Sequence, residues 1–207
     1  MQPKWLLWAR ELQALSQSGL AYAENPYDRA RYEDMMSLAA RIMAEGSGAD
    51  LSVIEGLFAQ QTGYATPKVD VRGAIYRERS VLLVSETIDN GRWTMPGGFA
   101  DVNESPSEAL LREVREEAGY VVTARKLAAV YDRDRHGHAR PHPFHIYKLF
   151  FVCDVVGRCG KSDLETGEAR FFPLDALPEL SETRVLAWQI QRMYEHSQAP
   201  GLPTDFD

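Results

Sequence analysis

Cysteine is scarce in this chain of 207 residues, which contains only Cys153 and Cys159. Two cysteines do not indicate a disulfide framework, and they favour reduced thiols in a cytosolic protein. Long apolar runs are also missing, because the opening stretch MQPKWLLWARELQ is too short and too interrupted for a signal peptide or a membrane span. We therefore expect a soluble, cytoplasmic protein without a membrane partner.

Positive charge is not in excess either, since the formal net charge is −7. A protein that binds nucleic acid by electrostatics needs a basic patch, so this balance makes a nucleic-acid partner an unfavoured hypothesis. It does not exclude a nucleotide substrate, because a bound metal ion can reverse the sign of the local charge. The remaining composition, 44% hydrophobic and 26% charged, is ordinary for a globular protein.

What the chain does have is a carboxylate-rich stretch from Gly98 to Tyr120. Three of its glutamates stand at relative positions i, i+3 and i+4, so a helix would place them on one face. Like charges at this spacing destabilise a helix slightly, which suggests a compensating cation. Oxygen ligands favour Mg²⁺ or Mn²⁺ over zinc. A solvated acidic face is the alternative. The carboxylates are Asp101, Glu104, Glu108, Glu113, Glu116 and Glu117.

Capping and stop residues in the sequence predict where that helix begins and ends. Ser105 is a candidate N-cap, Pro106 suits the first helical position, and Glu108 completes a Ser-x-x-Glu capping box. Gly119 is a natural stop. The sequence therefore predicts one helix that carries all three spaced glutamates.

The stretch GFADVNESPSEALLREVREEAGY resembles the Nudix box, G-x5-E-x7-R-E-U-x-E-E-x-G-U, where U is a bulky apolar residue. Tyr120 at the last position is the one departure. The resemblance implies an α/β fold, a Nudix α/β/α sandwich with a mixed sheet. The box positions are filled by Gly98, Glu104, Arg112, Glu113, Val114, Glu116, Glu117 and Gly119.

The same resemblance implies roles for these residues. Glu113, Glu116 and Glu117 are the expected catalytic metal ligands, with the backbone carbonyl of Gly97 or Gly98 adding an oxygen. Glu104 and Arg112 are expected to pair and brace the loop against the helix, and Gly119 ends the box. Family members commonly take a further glutamate from a late loop; Glu165 is favoured here and Glu168 is the alternative.

The first part of the chain reads as helical, and we assign residues 1–64 to a helical N-terminal domain and residues 65–207 to the Nudix domain. The stretches KWLLWARELQALSQSGLAY and NPYDRARYE resemble the N-terminal domain of Nudix hydrolases that act on X-linked nucleoside diphosphates. We expect helices ending at Gly19, starting at Asn25, and closing at Gly63. Trp5 and Trp8 are interpreted first as core or dimer contacts, and second as a ligand wall. The large apolar stripe predicts a homodimer.

Several residues of the second domain are candidate substrate-binding residues. Arg72 could grip a phosphate or ribose, with a salt bridge to Asp70 as the alternative. Trp93 precedes the two glycines. Four histidines lie between His136 and His145, and of these His136 and His138 are assigned to the substrate site. Their spacing fits no compact zinc pattern, so a loop at the mouth of the site is preferred.

At its end the chain predicts a helix from residue 181 to about 196, followed by a tail, APGLPTDFD. Three functions stay open. The first is a hydrolase that cuts a nucleoside diphosphate linked to X, with CDP-choline or ADP-ribose favoured. The second is a non-catalytic Nudix ligand sensor, and the third is an RNA 5′-end pyrophosphohydrolase, for which a basic groove would be expected.

Overall fold

The structure is a computed structural model and describes residues 2–138, 142–159 and 167–207. Its contacts divide into two compact units. One comprises residues 2–68 with residues 142–145, and the other begins at Val69 and continues to Asp207 without residues 142–145. No helix within the described ranges is long and apolar enough to cross a membrane. The division into domains at residues 64 and 65 stays a prediction.

The first unit consists of three helices, α1 (Lys4–Tyr22), α2 (Pro26–Ser47) and α3 (Leu51–Ala59). Asn25 caps α2 by accepting a hydrogen bond from the backbone N–H of Tyr27, and Gly48 ends it in the left-handed region. Seven buried side chains make its core. They are Leu6, Ala9, Ala39, Ala40, Met43, Ile54 and Phe58.

The prediction that α1 ends at Gly19 is wrong. The helix runs on to Tyr22, and a Cβ at Gly19 would overlap the ring of Tyr32 on α2. Gly19 is therefore needed because two helices approach closely there, which a stop signal in the sequence does not distinguish. Gly46 plays the same part for the ring of Trp5.

The helix α1 also carries large apolar side chains that this unit leaves exposed. Trp8 is 56% exposed, Leu15 is 55% exposed and Tyr22 is 71% exposed, whereas Trp5 packs partly against the helical core. The side chains at 8, 15 and 22 recur every two helical turns, so they lie along one stripe of the helix. The burial of Trp5 agrees with the first interpretation of that residue.

The second unit contains a mixed sheet. Its strands are β1 (Lys68–Arg77), β2 (Ser80–Glu86), β3 (Arg92–Thr94), β4 (Tyr120–Asp132), β5 (Ile146–Arg158), β6 (Ala169–Pro173) and β7 (Asp205–Phe206). They follow the order β3-β2-β1-β5-β4-β7, and β6 pairs with β2. All the described register pairs are antiparallel except β4 with β7.

Helices cover both faces of this sheet, which confirms the predicted α/β/α sandwich. Leu110 of α4 (Pro106–Glu113) joins one buried cluster with Leu82 and Val84. Ile190 of α5 (Ala187–Gln198) joins the other cluster with Leu83. Neighbouring side chains of β2 therefore point to opposite cores, as the pleat of a strand requires.

The C-terminal region differs from its prediction in two ways. The last helix begins at Ala187 and not at residue 181, because Ser181 is used in a turn where its hydroxyl donates to Asp89 at 2.7 Å. The expected tail is wrong as well: Asp205 pairs in β7 with β4, and its carboxylate accepts two hydrogen bonds from Arg192 at 2.6 and 2.8 Å. Long-range pairing therefore orders the end of the chain.

Candidate active site

The box helix begins as its sequence predicts and ends differently. Ser105 and Glu108 form the reciprocal capping box at the start of α4. The last turn, Val114–Ala118, is π-helical and is closed by Gly119 at φ 68°. The prediction of a regular α-helix through all three glutamates is therefore wrong in that turn. Single π turns are frequent at functional sites, and this one re-aims the glutamates that follow Glu113.

The three glutamates differ in their exposure. Glu113 is 9% exposed and Glu117 is 8% exposed, whereas the side chain of Glu116 is 48% exposed. Glu113 and Glu117 thus face inward and Glu116 borders the solvent. The turn brings the three carboxylates into one neighbourhood, but it does not present them as a uniform face.

The loop between β3 and α4 closes directly on the two inward glutamates. The N–H of Gly97 donates to Oε2 of Glu117 at 2.8 Å. A Cβ at Gly98 would lie 2.8 Å from Oε1 of Glu113, so a side chain there would displace the Glu113 carboxylate from its present position. The carbonyl of Gly98 already accepts the N–H of Val71 at 2.8 Å, which favours Gly97 as the source of a carbonyl ligand.

Arg112 holds the outer side of the site. Its guanidinium donates to both carboxylate oxygens of Glu104, at 2.8 and 3.0 Å, which is the bracing pair that the sequence predicts. It also donates to Glu113 at 2.8 Å and to Glu116 at 3.3 Å. The hydrogen bonds from Arg112 to Glu104 lower the pKa of Glu104. Because Arg112 also bonds Glu113 and Glu116, it links the loop to two of the expected metal ligands.

Burial makes the inward carboxylates costly to ionise. It raises the pKa of Glu117 to about 7, even though Arg72 and the N–H of Gly97 act in the opposite direction. Burial also raises the pKa of Glu113, against the opposing effect of Arg112. A cation at this turn would favour the ionised form of both groups, because an opposite charge nearby offsets the cost of desolvation.

The residues fit a hard divalent cation, although they do not form a closed ligand set. Within residues 2–138, 142–159 and 167–207, no three His, Cys, Asp or Glu side chains are gathered as a metal site. The reason is visible in the contacts: Arg112 holds Glu113 and Glu116, and Gly97 holds Glu117. Buried carboxylate oxygens beside a glycine loop remain the donor type that Mg²⁺ and Mn²⁺ prefer.

Arg72 lies next to this site, but its side chain faces inward. It is 1% exposed, it donates to both carboxylate oxygens of Asp70 at 2.7 and 3.0 Å, and it donates to the carbonyl of Met95 at 3.1 Å. The structure thus shows the alternative that the sequence left open, an ion pair with Asp70. In this arrangement Arg72 supports the segment that leads into the glycine loop and does not reach outward to a phosphate.

Asp70 is shared with a second buried cation, Lys148, whose Nζ donates to it at 3.0 Å. Burial alone would raise the pKa of Asp70, but Arg72 and Lys148 outweigh it and lower that pKa to about 2. Burial lowers the pKa of Lys148 to about 8. Sequence reasoning missed Lys148, because one lysine inside an apolar strand carries no motif.

The two histidines assigned to the substrate site are held by protein groups. The ring of His136 packs at a tilt against Tyr131 and Trp188, with centroids 4.4 and 5.4 Å away, and its Nε2 lies 2.7 Å from a carboxylate oxygen of Asp207. His138 is buried, and its Nδ1 lies 2.8 Å from the carbonyl of Glu182. These contacts tie both histidines to the C-terminal part of the chain. Their role in substrate binding stays a prediction.

The remaining candidates fall in different places. Trp93 is half-buried and packs edge-on against Phe172 at 4.5 Å between ring centroids. Glu165 lies outside the described residues. Glu168, the alternative, is exposed, and its backbone N–H donates to the hydroxyl of Ser85 at 2.8 Å, as expected for a structural strand-edge residue.

A cavity of about 610 Å³ lies beside β3 and is lined mainly by residues 177–183 together with Asp89 and Arg92. None of the three box glutamates is in its lining. This cavity therefore does not mark the position of the box glutamates.

A mixed sheet between helices, with a glycine loop closed on the glutamates of a capped helix, is the fold and site of a Nudix domain. A family model described as the NUDIX domain matches residues 66–193, and a model described as a UDP-X-like, N-terminal oligomerisation domain matches residues 3–58. The chain belongs to the Nudix family and is a Nudix hydrolase.

Three relatives show how far the similarity extends. YjhB of Bacillus subtilis, whose assignment as an ADP-ribose pyrophosphatase is provisional, is 42% identical over 207 residues, which are 100% of this chain and 99% of YjhB. The crystal structure of a UDP-X diphosphatase has 30% identity and a TM-score of 0.63, and covers 98% of each chain. An ADP-ribose pyrophosphatase of Streptococcus suis has 36% identity and a TM-score of 0.62, and covers 69% of this chain and 100% of its own.

Proposed function

We propose that this protein hydrolyses the pyrophosphate bond of a nucleoside diphosphate linked to X, and releases a nucleoside monophosphate and phospho-X. The observation that carries the proposal is the pair of buried carboxylates, Glu113 and Glu117, enclosed by the glycine loop. Two neighbouring buried carboxylates are costly to ionise, and a bound cation would lower that cost. A diphosphate substrate also needs a cation, because its own negative charge must be neutralised.

Within this class, ADP-ribose is the first substrate to test. Two of the relatives carry the name of an ADP-ribose pyrophosphatase, and the solved structure that covers nearly the whole chain is named a UDP-X diphosphatase. CDP-choline remains the second substrate to test, as in the sequence-based hypothesis, because the N-terminal helices are rich in aromatic side chains, which suit a quaternary ammonium group. The substrate's base and X group are therefore proposals that only turnover can decide.

The residues divide the work as follows. Glu113, Glu116 and Glu117 would hold Mg²⁺ or Mn²⁺ with the carbonyl of Gly97. Such an ion supplies charge neutralisation at the diphosphate and lowers the pKa of a bound water. Arg112 keeps the carboxylates of Glu113 and Glu116 oriented through its hydrogen bonds and is itself held by Glu104. Arg72 holds the carbonyl of Met95 and so fixes the approach to the loop.

The test is a product analysis with the full chain. ADP-ribose, CDP-choline, a UDP-sugar and a 5′-triphosphorylated RNA are incubated with Mg²⁺, with Mn²⁺ and with EDTA, and products are separated by anion-exchange chromatography. Release of AMP and ribose 5-phosphate from ADP-ribose, abolished by EDTA, supports the proposal. Turnover of the RNA alone would favour the RNA 5′-end hydrolase, and tight binding without turnover would favour the ligand sensor.

A further inference from the structure

Glu86, the last residue of β2, is a buried carboxylate that the site described above does not use. It is 5% exposed. One oxygen, Oε2, lies 3.2 Å from the guanidinium of Arg184. The other, Oε1, accepts no hydrogen bond from the part of the chain that the structure describes. A buried carboxylate oxygen without a donor is costly and calls for a partner.

The position of Glu86 shows where that partner would lie. Side chains alternate along β2, and Leu82 and Val84 belong to the core cluster beneath the box helix. Glu86 follows in the same alternation, on the same face of the strand, and β2 contacts the π turn. Strand geometry therefore places Glu86 on the face of β2 that packs beneath the box helix.

We infer that Glu86 supplies an oxygen, directly or through a bound water, to the divalent cation held by Glu113 and Glu117. The inference rests on the proposed function, because it needs a cation at the box turn. Mg²⁺ keeps several waters and accepts oxygen ligands beyond its first carboxylates, so a contribution from Oε1 is chemically suitable. Arg184 pairs with the second oxygen, Oε2, and leaves Oε1 available to the cation.

A purely structural role is the competing explanation. In that case Glu86 serves only to anchor Arg184 and the turn around Ser181, and the orphan oxygen is a tolerated defect. The two explanations differ in what Arg184 does. If Glu86 matters only as an anchor, removal of Arg184 should have the same consequences as removal of the Glu86 carboxylate. If Glu86 contacts the cation, only its own loss should weaken cation binding.

The experiment is a Mn²⁺ titration of the metal-free full chain, followed by electron paramagnetic resonance of the free ion and carried out without substrate. Glu86→Gln should weaken Mn²⁺ binding by about tenfold or more, the range typical of residues that tune a metal site. Arg184→Gln should bind Mn²⁺ as the wild type does. Glu195→Gln, which removes an exposed carboxylate bonded to Arg192 at 2.6 Å, is the matched control and should also be unchanged.

Each failure has a distinct signature. If the wild type binds no Mn²⁺, or Glu117→Gln binds it normally, the proposed function fails. If Glu117→Gln loses Mn²⁺ while Glu86→Gln retains it, the inference on Glu86 is overturned alone. Glu86→Asp keeps the charge and shortens the side chain, so it serves if the glutamine variant does not fold. Weaker binding by the aspartate variant at an unchanged melting temperature supports the inference, and unchanged binding overturns it.

Discussion

Gly97 and Glu117 are joined by a hydrogen bond of 2.8 Å from the backbone N–H to the carboxylate, between the loop after β3 and the π turn after α4. Gly97 adopts φ 140°. A Cβ there would lie 2.9 Å from the carbonyl carbon of Val71 and closer still to its oxygen. This one contact therefore depends on a backbone that other residues rarely adopt and on space that no side chain can enter.

Gly97→Ala should consequently damage both stability and the site. Residues held in unfavourable backbone regions cost about 1–3 kcal/mol, and the overlap with Val71 adds to that. We expect a lower urea midpoint and weaker Mn²⁺ binding. Gly91→Ala is the matched control, since Gly91 also has a positive φ of 74° but open space around its Cα. Equal effects of the two substitutions would contradict the role of the Val71 contact.

Glu116→Gln should strongly reduce turnover and leave the fold intact. The side chain of Glu116 is 48% exposed, so replacing its carboxylate with an amide leaves no buried group without a partner. We expect kcat to fall by about 100-fold, or ~3 kcal/mol of barrier, with an unchanged melting temperature. A fall of less than about tenfold, under ~1.4 kcal/mol, would show that Glu116 is not a metal ligand. Steady-state rates at saturating Mg²⁺ make the measurement.

Local signals in the sequence predicted the start of α2, the start of the box helix and the box itself. Ser105 with Glu108, Asn25 and Gly48 each satisfy backbone groups within a few residues, so their effect is readable from neighbouring positions. Gly97 and Gly98 stand at the start of the box, so their place in the loop could also be predicted from neighbouring residues. The resemblance to the Nudix box implied the pair of Glu104 and Arg112, which the structure shows.

The features that sequence reasoning missed depend on groups far apart in the chain. Gly19 was taken as a stop because its close neighbour Tyr32 lies on another helix. Asp205 was assigned to a tail because its partner Arg192 and its strand neighbour in β4 are not adjacent to it. The alternation of β2 could have placed Glu86 beneath the box helix. Its unpaired oxygen could only be seen in the structure.

The free energy of unfolding should decrease as the pH is lowered from 6.5 to 4, because of His138. Burial lowers the pKa of His138 from 6.5 to about 4, so in that interval the unfolded chain binds more protons than the folded one. This contribution is complete above pH 6.5 and is lost as the pH falls through 4, about 3 kcal/mol in all. Buried Lys148 and Arg133 act in the same direction.

His138→Gln removes this titration. Urea unfolding at pH 7, 6, 5 and 4.5 should therefore show a difference between wild type and variant that shrinks by up to about 1.4 kcal/mol per pH unit. Parallel stability curves for the two proteins would mean that His138 titrates alike in both states. The measurement does not require a metal ion or a substrate.

The exposed stripe on α1 should form the interface of a homodimer. Trp8 and Leu15 are each more than half exposed, and apolar side chains of this size rarely remain in water along one helix stripe. The family model over residues 3–58 is described as an oligomerisation domain. We expect light scattering to give about twice the chain mass of 23.3 kDa for the wild type, and the single mass for Trp8→Glu combined with Leu15→Glu. Ile88→Glu, at a side chain that is 85% exposed in the other unit, should leave the dimer intact, and a monomeric wild type would contradict the assignment.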